Sequence, residues 1–468
     1  MGDIEFGDWM SEADALMWHM ERDPVLRSTI TTVWVLDQAP DPERFDASIH
    51  RAIAEVPRLR QRVVSDANTI APPKWDPDPL FDPDYHVRSG RIGGDGTLRD
   101  LLDHAAPIAQ QAFDKDRPLW ELHLLDGMQD GRVGVVMKLH HAISDGVGLV
   151  KMTGALMERS REPSDDDLAA PPTDDAPASV SRGESIEREA IRHQTEVGLR
   201  RAVSGATAMG KGAVGYLRDP VGSSRAAVET TSSIARSLRP VTTPMSPIMN
   251  RRSLSTRFDA MQCRIDQLKA AAHAADGTLN DAYVAAMLGG LARYHEHHDA
   301  MVDELRMTMP INVRTGDDRG RTAGNVFAPA RFAVPLSITD PAERIGAIHA
   351  LVQRERAEPA YGRIGAISTA LFSLRPAVFT RLTGSMLKAI DFVTSNVPGP
   401  PFGVYVSGAK IERSIPFGPL SGSAVNLTLY GYDGLAEMGV NADKAAVPDG
   451  EVLTDCLEEG IAEVLSVA

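Results

Sequence analysis

Two adjacent histidines, His140 and His141, end an apolar run in the stretch VVMKLHHAISDGVGLVKM, and Asp145 and Gly146 follow them. A histidine side chain exchanges protons near neutral pH, because its ordinary pKa is about 6.5. A positioned imidazole can therefore act as a general base, and a nearby carboxylate can fix the local geometry. We interpret this pattern first as a catalytic base held by a turn.

The segment RVGVVMKLHH is predicted to be a strand, because it is short, apolar and rich in valine. Side chains on a strand alternate between its faces, so His140 and His141 point in opposite directions unless the strand has already ended. Only one of them is expected to reach a reacting group. Asp145 can bond to nearby backbone and Gly146 permits a tight turn, so a strand-end histidine beside a structural turn is the alternative interpretation.

Other chemistries find less support in the residues. Helical zinc sites need histidines four residues apart, and Ser144 does not lie in the GxSxG pattern of serine nucleophiles. The cysteines, Cys263 and Cys456, are the only two and form no metal-ligand spacing. No metal site is predicted.

Composition limits the class of protein. The chain has 468 residues, 43% of them apolar, and a net charge of −15, which argues against binding nucleic acid. The acidic N-terminus has no signal-peptide pattern, and no apolar run reaches the ~18 residues that a membrane-spanning helix needs. We expect a cytoplasmic protein, with peripheral contact to a membrane or lipid inclusion left open.

The elements that position the histidines suggest two similar domains of mixed α/β type. Residues 1–160 alternate strand and helix patterns, including the strand Ser28–Asp37 and a hairpin that ends in the histidines. Residues 161–250 form an acidic, Pro-rich linker and then a basic connector. Residues 251–468 return to mixed strand and helix patterns. The connector is either a helical link with a solvated face, which we favour, or a segment that lies on an anionic membrane.

The pattern HHAISDG resembles the motif of acyltransferases with the chloramphenicol-acetyltransferase type of fold. More narrowly, the chain is similar to the bacterial bifunctional wax ester synthase/diacylglycerol acyltransferase family. The similar segments occur in family order and cover both predicted domains; they are MSEADALMWHMERDP, RPLWELHLLDG, TLNDAYVAA, PINVRTGDDRGRTAGNVFA and TSNVPGPP.

The resemblance implies two α/β domains with the active site at their interface. Acyl-CoA would be the co-substrate, a lipid alcohol the acceptor, and no cofactor would be needed. His141 would take the proton of the attacking hydroxyl, and Asp145 would pair with Arg314 to hold the histidine loop. Asn280 and Asp281 are assigned either to the cap of a helix or to the site, and Trp120 is assigned to the core before substrate contact. Asn325 and Asn396 are expected in loops beside the tunnel.

Three functions remain open on this evidence. The first is transfer of a fatty acyl group from CoA to diacylglycerol, a long-chain alcohol or both. The second keeps the fold but uses a polyketide-like or other secondary alcohol, or a carrier-bound donor. The third is a non-catalytic scaffold at a lipid surface, against which the intact HHAISDG argues.

Overall fold

The computed structural model describes residues 7–65, 72–143, 153–163, 241, 243–312, 327–356 and 384–468, with the isolated residues 192 and 195. Numbered in chain order, strands β1 to β14 of this part are Thr29–Leu36, Gln61–Val64, Lys74–Pro77, Val87–Arg91, Trp120–Asp126, Val133–His140, Thr256–Arg264, Glu304–Asn312, Phe327–Pro335, Phe392–Pro398, Tyr405–Val406, Ala409–Phe417, Val425–Tyr432 and Leu435–Asp443. Helices α1 to α8 are Glu12–Met20, Pro42–Glu55, Pro83–His86, Leu98–Gln110, Ile265–Ala274, Leu279–His297, Pro341–Arg356 and Gly450–Leu465.

The first sheet has the strand order β11-β12-β1-β6-β5-β4. Strands β5 and β6 form the predicted hairpin, with Trp120 opposite Leu139. The connection turns at Gly127, whose φ of 97° suits a residue without Cβ. This hairpin places the C-terminal end of β6, and with it the histidines, at the end of the sheet opposite the β5–β6 turn.

Strand β1 fixes the level at which β6 ends. Its β-branched residues favour an extended chain, and Thr29 pairs with His140 in an antiparallel register. Successive residues of β1 face opposite sides, so Val33 and Val35, two residues apart, both pack in the apolar core on one face, together with helix α4. The opposite face of β1 turns toward the second sheet.

The second sheet has the order β7-β14-β13-β10-β8-β9, with β10 parallel to both β8 and β13. Helix α6 crosses behind this sheet and is buried along most of its length. A capping box starts it: the Thr278 side chain accepts from the backbone N–H of Asp281, and the Asp281 carboxylate accepts from the backbone N–H of Thr278. The largest apolar core lies between this sheet and its helices.

A strand from the second half of the chain lies in the first sheet. Strand β12 pairs antiparallel with β1, with Ser414 opposite Trp34. Arg413 on this strand makes a two-pronged ion pair with Glu437 of β14 at 2.6 Å, and the rings of Phe417 and Phe258 stack at 3.9 Å. The second half of the chain therefore contributes strands to the first sheet, and side chains of β12 contact the second sheet.

Two predictions about organisation stay predictions. The boundaries at residues 160 and 251 are not tested by the observed pairing, and most of the predicted linker and connector lies outside the described residues. Among the residues that the structure does describe, no helix is both long and apolar enough to cross a bilayer.

Candidate active site

A cavity of about 460 Å³ lies between the two sheets. Helix α1 borders it with Leu16, Met17 and Met20, and the first sheet contributes alternate residues of β1 together with β12. The residues of this wall are largely apolar: Ile30, Thr32, Trp34, Ser414 and Pro416. Such walls suit an apolar chain, because burial of apolar surface stabilises it there.

The second sheet supplies a more polar wall. Its cavity-lining residues include Thr308, Ser395, Asn426 and Thr428. The Thr428 hydroxyl donates to Asn426 Oδ1 at 2.7 Å, and Asn426 Nδ2 donates to the carbonyl of Pro419 at 2.9 Å. These bonds fix a loop, residues 418–423, that also borders the cavity.

His141 borders the cavity directly after β6 ends. Its backbone N–H donates to the carbonyl of Ser28 at 2.8 Å, which continues the pairing of β6 with β1 by one residue. The side chain is half-buried. An imidazole in this place can exchange a proton with a hydroxyl group that enters the cavity.

His140 has a different environment, as the alternation on β6 predicts. It is buried, and its ring meets those of Trp18 and Phe113 edge-on at 5.9 and 6.2 Å. Its Nδ1 accepts the backbone N–H of Ala142 at 3.0 Å, so the ring proton belongs on Nε2. Nε2 lies 3.0 Å from Glu21 Oε1.

Glu21 contacts His140 directly and is linked to His141 through Ser28. Its Oε1 also accepts the backbone N–H of Ser28 at 3.0 Å, and the carbonyl of Ser28 accepts from His141. Burial alone raises the pKa of this carboxyl, but the hydrogen bonds from His140 and Ser28 and nearby positive charge outweigh burial and lower it. The group is therefore a carboxylate at neutral pH.

Trp120, a predicted support residue, belongs to the core. Its Nε1 donates to the carbonyl of Leu59 at 2.9 Å, and its ring stacks on His86 at 4.6 Å. It does not border the large cavity.

The Asn-Asp element at the start of α6 resolves into two environments. Asp281 is the third residue of the helix, not its N-cap, and it accepts from Thr278 and from His349 Nδ1 at 2.7 Å. Asn280 Nδ2 lies 3.3 Å from Met309 Sδ. Neither residue borders the large cavity. The expectation that Asn280 and Asp281 cap the helix themselves is corrected to a cap by Thr278.

Asn396 was expected in a loop and instead lies within β10, opposite Leu429. Its neighbours Ser395 and Val397 border the cavity, so alternation directs Asn396 to the other face. The remaining predicted residues lie outside the described part of the chain, and so does the predicted ion pair; they are Asp145, Gly146, Arg314 and Asn325.

A serine–histidine pair in the second half has the hydrogen bond expected of a catalytic nucleophile and its base, but both side chains are buried away from the large cavity. Ser246 Oγ lies 2.8 Å from His295 Nε2, and His295 Nδ1 lies 2.7 Å from the carbonyl of Leu291. Both side chains are buried and neither borders the large cavity. The pair ties the chain to α6. Among the described residues, no cluster of three or more His, Cys, Asp or Glu side chains could hold a metal ion.

Sequence reasoning missed Glu21 and Ser28 as neighbours of the histidines. Glu21 lies in MSEADALMWHMERDP, a segment singled out only for its resemblance. A carboxylate in the last turn region of an amphipathic segment is ordinarily a solvated group, and no local pattern indicates its contact with His140.

Comparison with known proteins identifies the class of protein to which these two six-stranded sheets and the cavity between them belong. The family model described as the wax ester synthase/diacylglycerol acyltransferase catalytic domain matches residues 10–283, and the model of its C-terminal domain matches residues 323–464. A Mycobacterium tuberculosis protein provisionally named a diacylglycerol O-acyltransferase is 37% identical over 98% of this chain and 92% of its own length.

Solved structures share the fold over nearly the whole chain. The wax ester synthase/diacylglycerol acyltransferase from Marinobacter aquaeolei VT8 matches with a TM-score of 0.65 at 21% identity, covering 98% of each chain. The starter condensation domain of rhizomide synthetase matches with a TM-score of 0.60 at 14% identity, covering 98% of this chain and 94% of that one. The chain belongs to the wax ester synthase/diacylglycerol acyltransferase family and is an acyltransferase. The predicted family, fold class and enzyme class are confirmed.

Proposed function

We propose that this enzyme transfers a fatty acyl group from acyl-CoA to the hydroxyl of diacylglycerol or of a long-chain alcohol, with His141 as the general base. The observation that carries the proposal is the position of His141 on a cavity of about 460 Å³ with one largely apolar wall. Apolar side chains of α1 and β1 suit a fatty chain, and the imidazole supplies the group that a hydroxyl nucleophile needs.

The proposed step balances without a covalent intermediate on the enzyme. His141 takes the proton of the acceptor hydroxyl while its oxygen attacks the thioester carbonyl carbon. The resulting tetrahedral intermediate loses the sulfur as the carbon–sulfur bond breaks, and the imidazolium returns the proton to the CoA thiolate. The products are an ester and free CoA, so the step needs no further cofactor. General-base help of this kind is typically worth ~10²–10⁴ in rate.

The names of relatives support the substrate class. The Marinobacter protein is named for wax esters and for diacylglycerol, and the rhizomide synthetase domain is described in complex with C8-CoA. We extend acyl-CoA and a lipid alcohol to this enzyme as substrates. We also propose that the enzyme is cytoplasmic. Because such lipids dissolve poorly in water, it would contact a membrane or inclusion surface during turnover.

The test is release of free thiol from palmitoyl-CoA by the purified enzyme, with dioleoylglycerol or hexadecanol supplied in parallel and the ester identified by mass spectrometry. His141→Ala is the catalytic variant. His349→Ala is the matched control, because it also removes a histidine that contacts a carboxylate. Acceptor-dependent release that disappears only in His141→Ala is expected. If folded protein releases no thiol with either acceptor, the proposal is overturned, and another acceptor or a scaffold function is favoured.

A further inference from the structure

We infer that Glu21 is a positioning residue for the acyl transfer, which it serves by holding the two histidines in register through one carboxylate oxygen. The inference rests on the proposed role of His141. It assigns a function to a residue of α1's C-terminal end that neither the motif nor its spacing indicates.

The first contact fixes the ring of His140. Nδ1 of this ring accepts from Ala142 N–H, the residue after His141, and Nε2 faces Glu21 Oε1 at 3.0 Å. The ring is thus held by a hydrogen bond from the turn at Nδ1 and by a close contact with the carboxylate at Nε2. Rotation of the ring would break the hydrogen bond at Nδ1 and the 3.0 Å contact of Nε2 with the carboxylate, and the His140 side chain is 0% exposed.

The second contact fixes the backbone of His141. The same Oε1 accepts from Ser28 N–H at 3.0 Å, and the carbonyl of Ser28 accepts from His141 N–H at 2.8 Å. Ser28 itself borders the cavity. Two routes therefore run from one oxygen to consecutive backbone N–H groups: through the His140 ring to that of Ala142, and through Ser28 to that of His141.

Loss of the carboxylate removes both routes at once. His140 would keep a buried Nε2–H, and Ser28 a backbone N–H, that must find new partners by moving. A displacement of about 1 Å at a catalytic base can cost roughly 10²-fold in rate. Glu21 itself does not border the cavity, so the loss is expected to fall on kcat rather than on KM.

The experiment compares Glu21→Ala with the isosteric Glu21→Gln, whose amide oxygen can accept from both His140 and Ser28. Glu21→Ala is expected to lower kcat by ~10–100-fold with an unchanged KM for palmitoyl-CoA, and Glu21→Gln to recover most of the rate. In a His140→Gln background, Glu21→Ala should cost much less, because one of its routes is already lost. Glu463→Ala is the control for general destabilisation: it removes partly buried ion pairs to Arg293 and Arg344, and none of these residues borders the cavity.

A spectroscopic arm separates this inference from the proposed function. In protein labelled with ¹⁵N at histidine, the ring signals that vanish in His140→Gln belong to His140. They should show protonated Nε2 in the native enzyme and change in Glu21→Ala. If the native enzyme shows no acyl transfer, the proposed function fails, and the histidine spectrum alone then tests whether Glu21 holds His140. Unchanged His140 signals, or wild-type kcat in Glu21→Ala while His141→Ala is inactive, would overturn the role of Glu21.

Discussion

Buried carboxylates contact histidines in both halves of the molecule, and two of these pairs, one from each half, differ in the other groups that hydrogen-bond to the carboxylate. Glu21 Oε1 lies 3.0 Å from His140 Nε2, and Asp281 Oδ2 lies 2.7 Å from His349 Nδ1. The other bonds of Asp281 go to Thr278 at the start of α6. The other bond of Glu21 goes to Ser28, which in turn holds His141 beside the cavity.

The two histidines also differ in access. The His140 side chain is 0% exposed and enclosed by aromatic rings, whereas the His349 side chain is 34% exposed on α7. The shorter, partly exposed pair supports a helix start, and the buried pair lies next to a substrate-sized space. The same two chemical groups thus serve stability in one half and, by our proposal, catalysis in the other. Distance within the pair does not distinguish them; the second partner of each carboxylate does.

The largest expected difference between the two halves is in rate. His141→Ala should lower acceptor-dependent CoA release by ~10²–10⁴-fold, because the general base is lost. His349→Ala should leave the rate unchanged, since Asp281 keeps its bonds to Thr278. Initial rates with palmitoyl-CoA and dioleoylglycerol measure both variants. Comparable losses in the two would mean that the second pair also contributes to catalysis.

The next effect is on stability and belongs to the second half. Asp281→Ala removes one side of the capping box and should lower the free energy of unfolding by about 1–2 kcal/mol without changing kcat. All five tryptophans lie at or before residue 120, so far-UV circular dichroism is the suitable probe for the second half. A large fall in kcat with unchanged unfolding would instead return Asp281 to the active site, the other role that the sequence allows.

Local patterns predict much of the first sheet and of the histidine turn. Alternation along β6 separates the environments of His140 and His141, and the Gly-containing turn predicts the β5–β6 hairpin. The spacing of Thr278 and Asp281 is that of a capping box, and the two residues form one, with Thr278 as the N-cap. One of the two interpretations of Asn280 and Asp281 makes them the cap themselves, whereas the N-cap is Thr278.

Long-range pairing is what local patterns cannot supply. Strand β12 pairs with β1, which lies several hundred residues earlier in the chain, and the alternation along β12 does not indicate which sheet it joins. The Pro and Gly that follow Asn396 predict a loop there, yet pairing of β10 with β13 makes Asn396 part of a strand. Glu21 shows the same limit, since its partner His140 is far away in sequence and the contact depends on how α1 packs.

The smallest predicted effect tests the charge of Glu21 apart from its geometry. Burial raises the pKa of its carboxyl, but bonds from His140 and Ser28 and nearby positive charge lower it below its ordinary 4.5. A folded-state pKa below the unfolded value contributes stability above pH 4.5, and this is lost as pH falls through the folded value. Glu21→Gln should therefore unfold more easily than the native enzyme at pH 7, by about 1 kcal/mol, and the difference should shrink below pH 4.5. Denaturant unfolding of both proteins, followed by tryptophan fluorescence across this range, measures it. A difference that does not vary with pH would show that Glu21 acts through hydrogen-bond geometry alone.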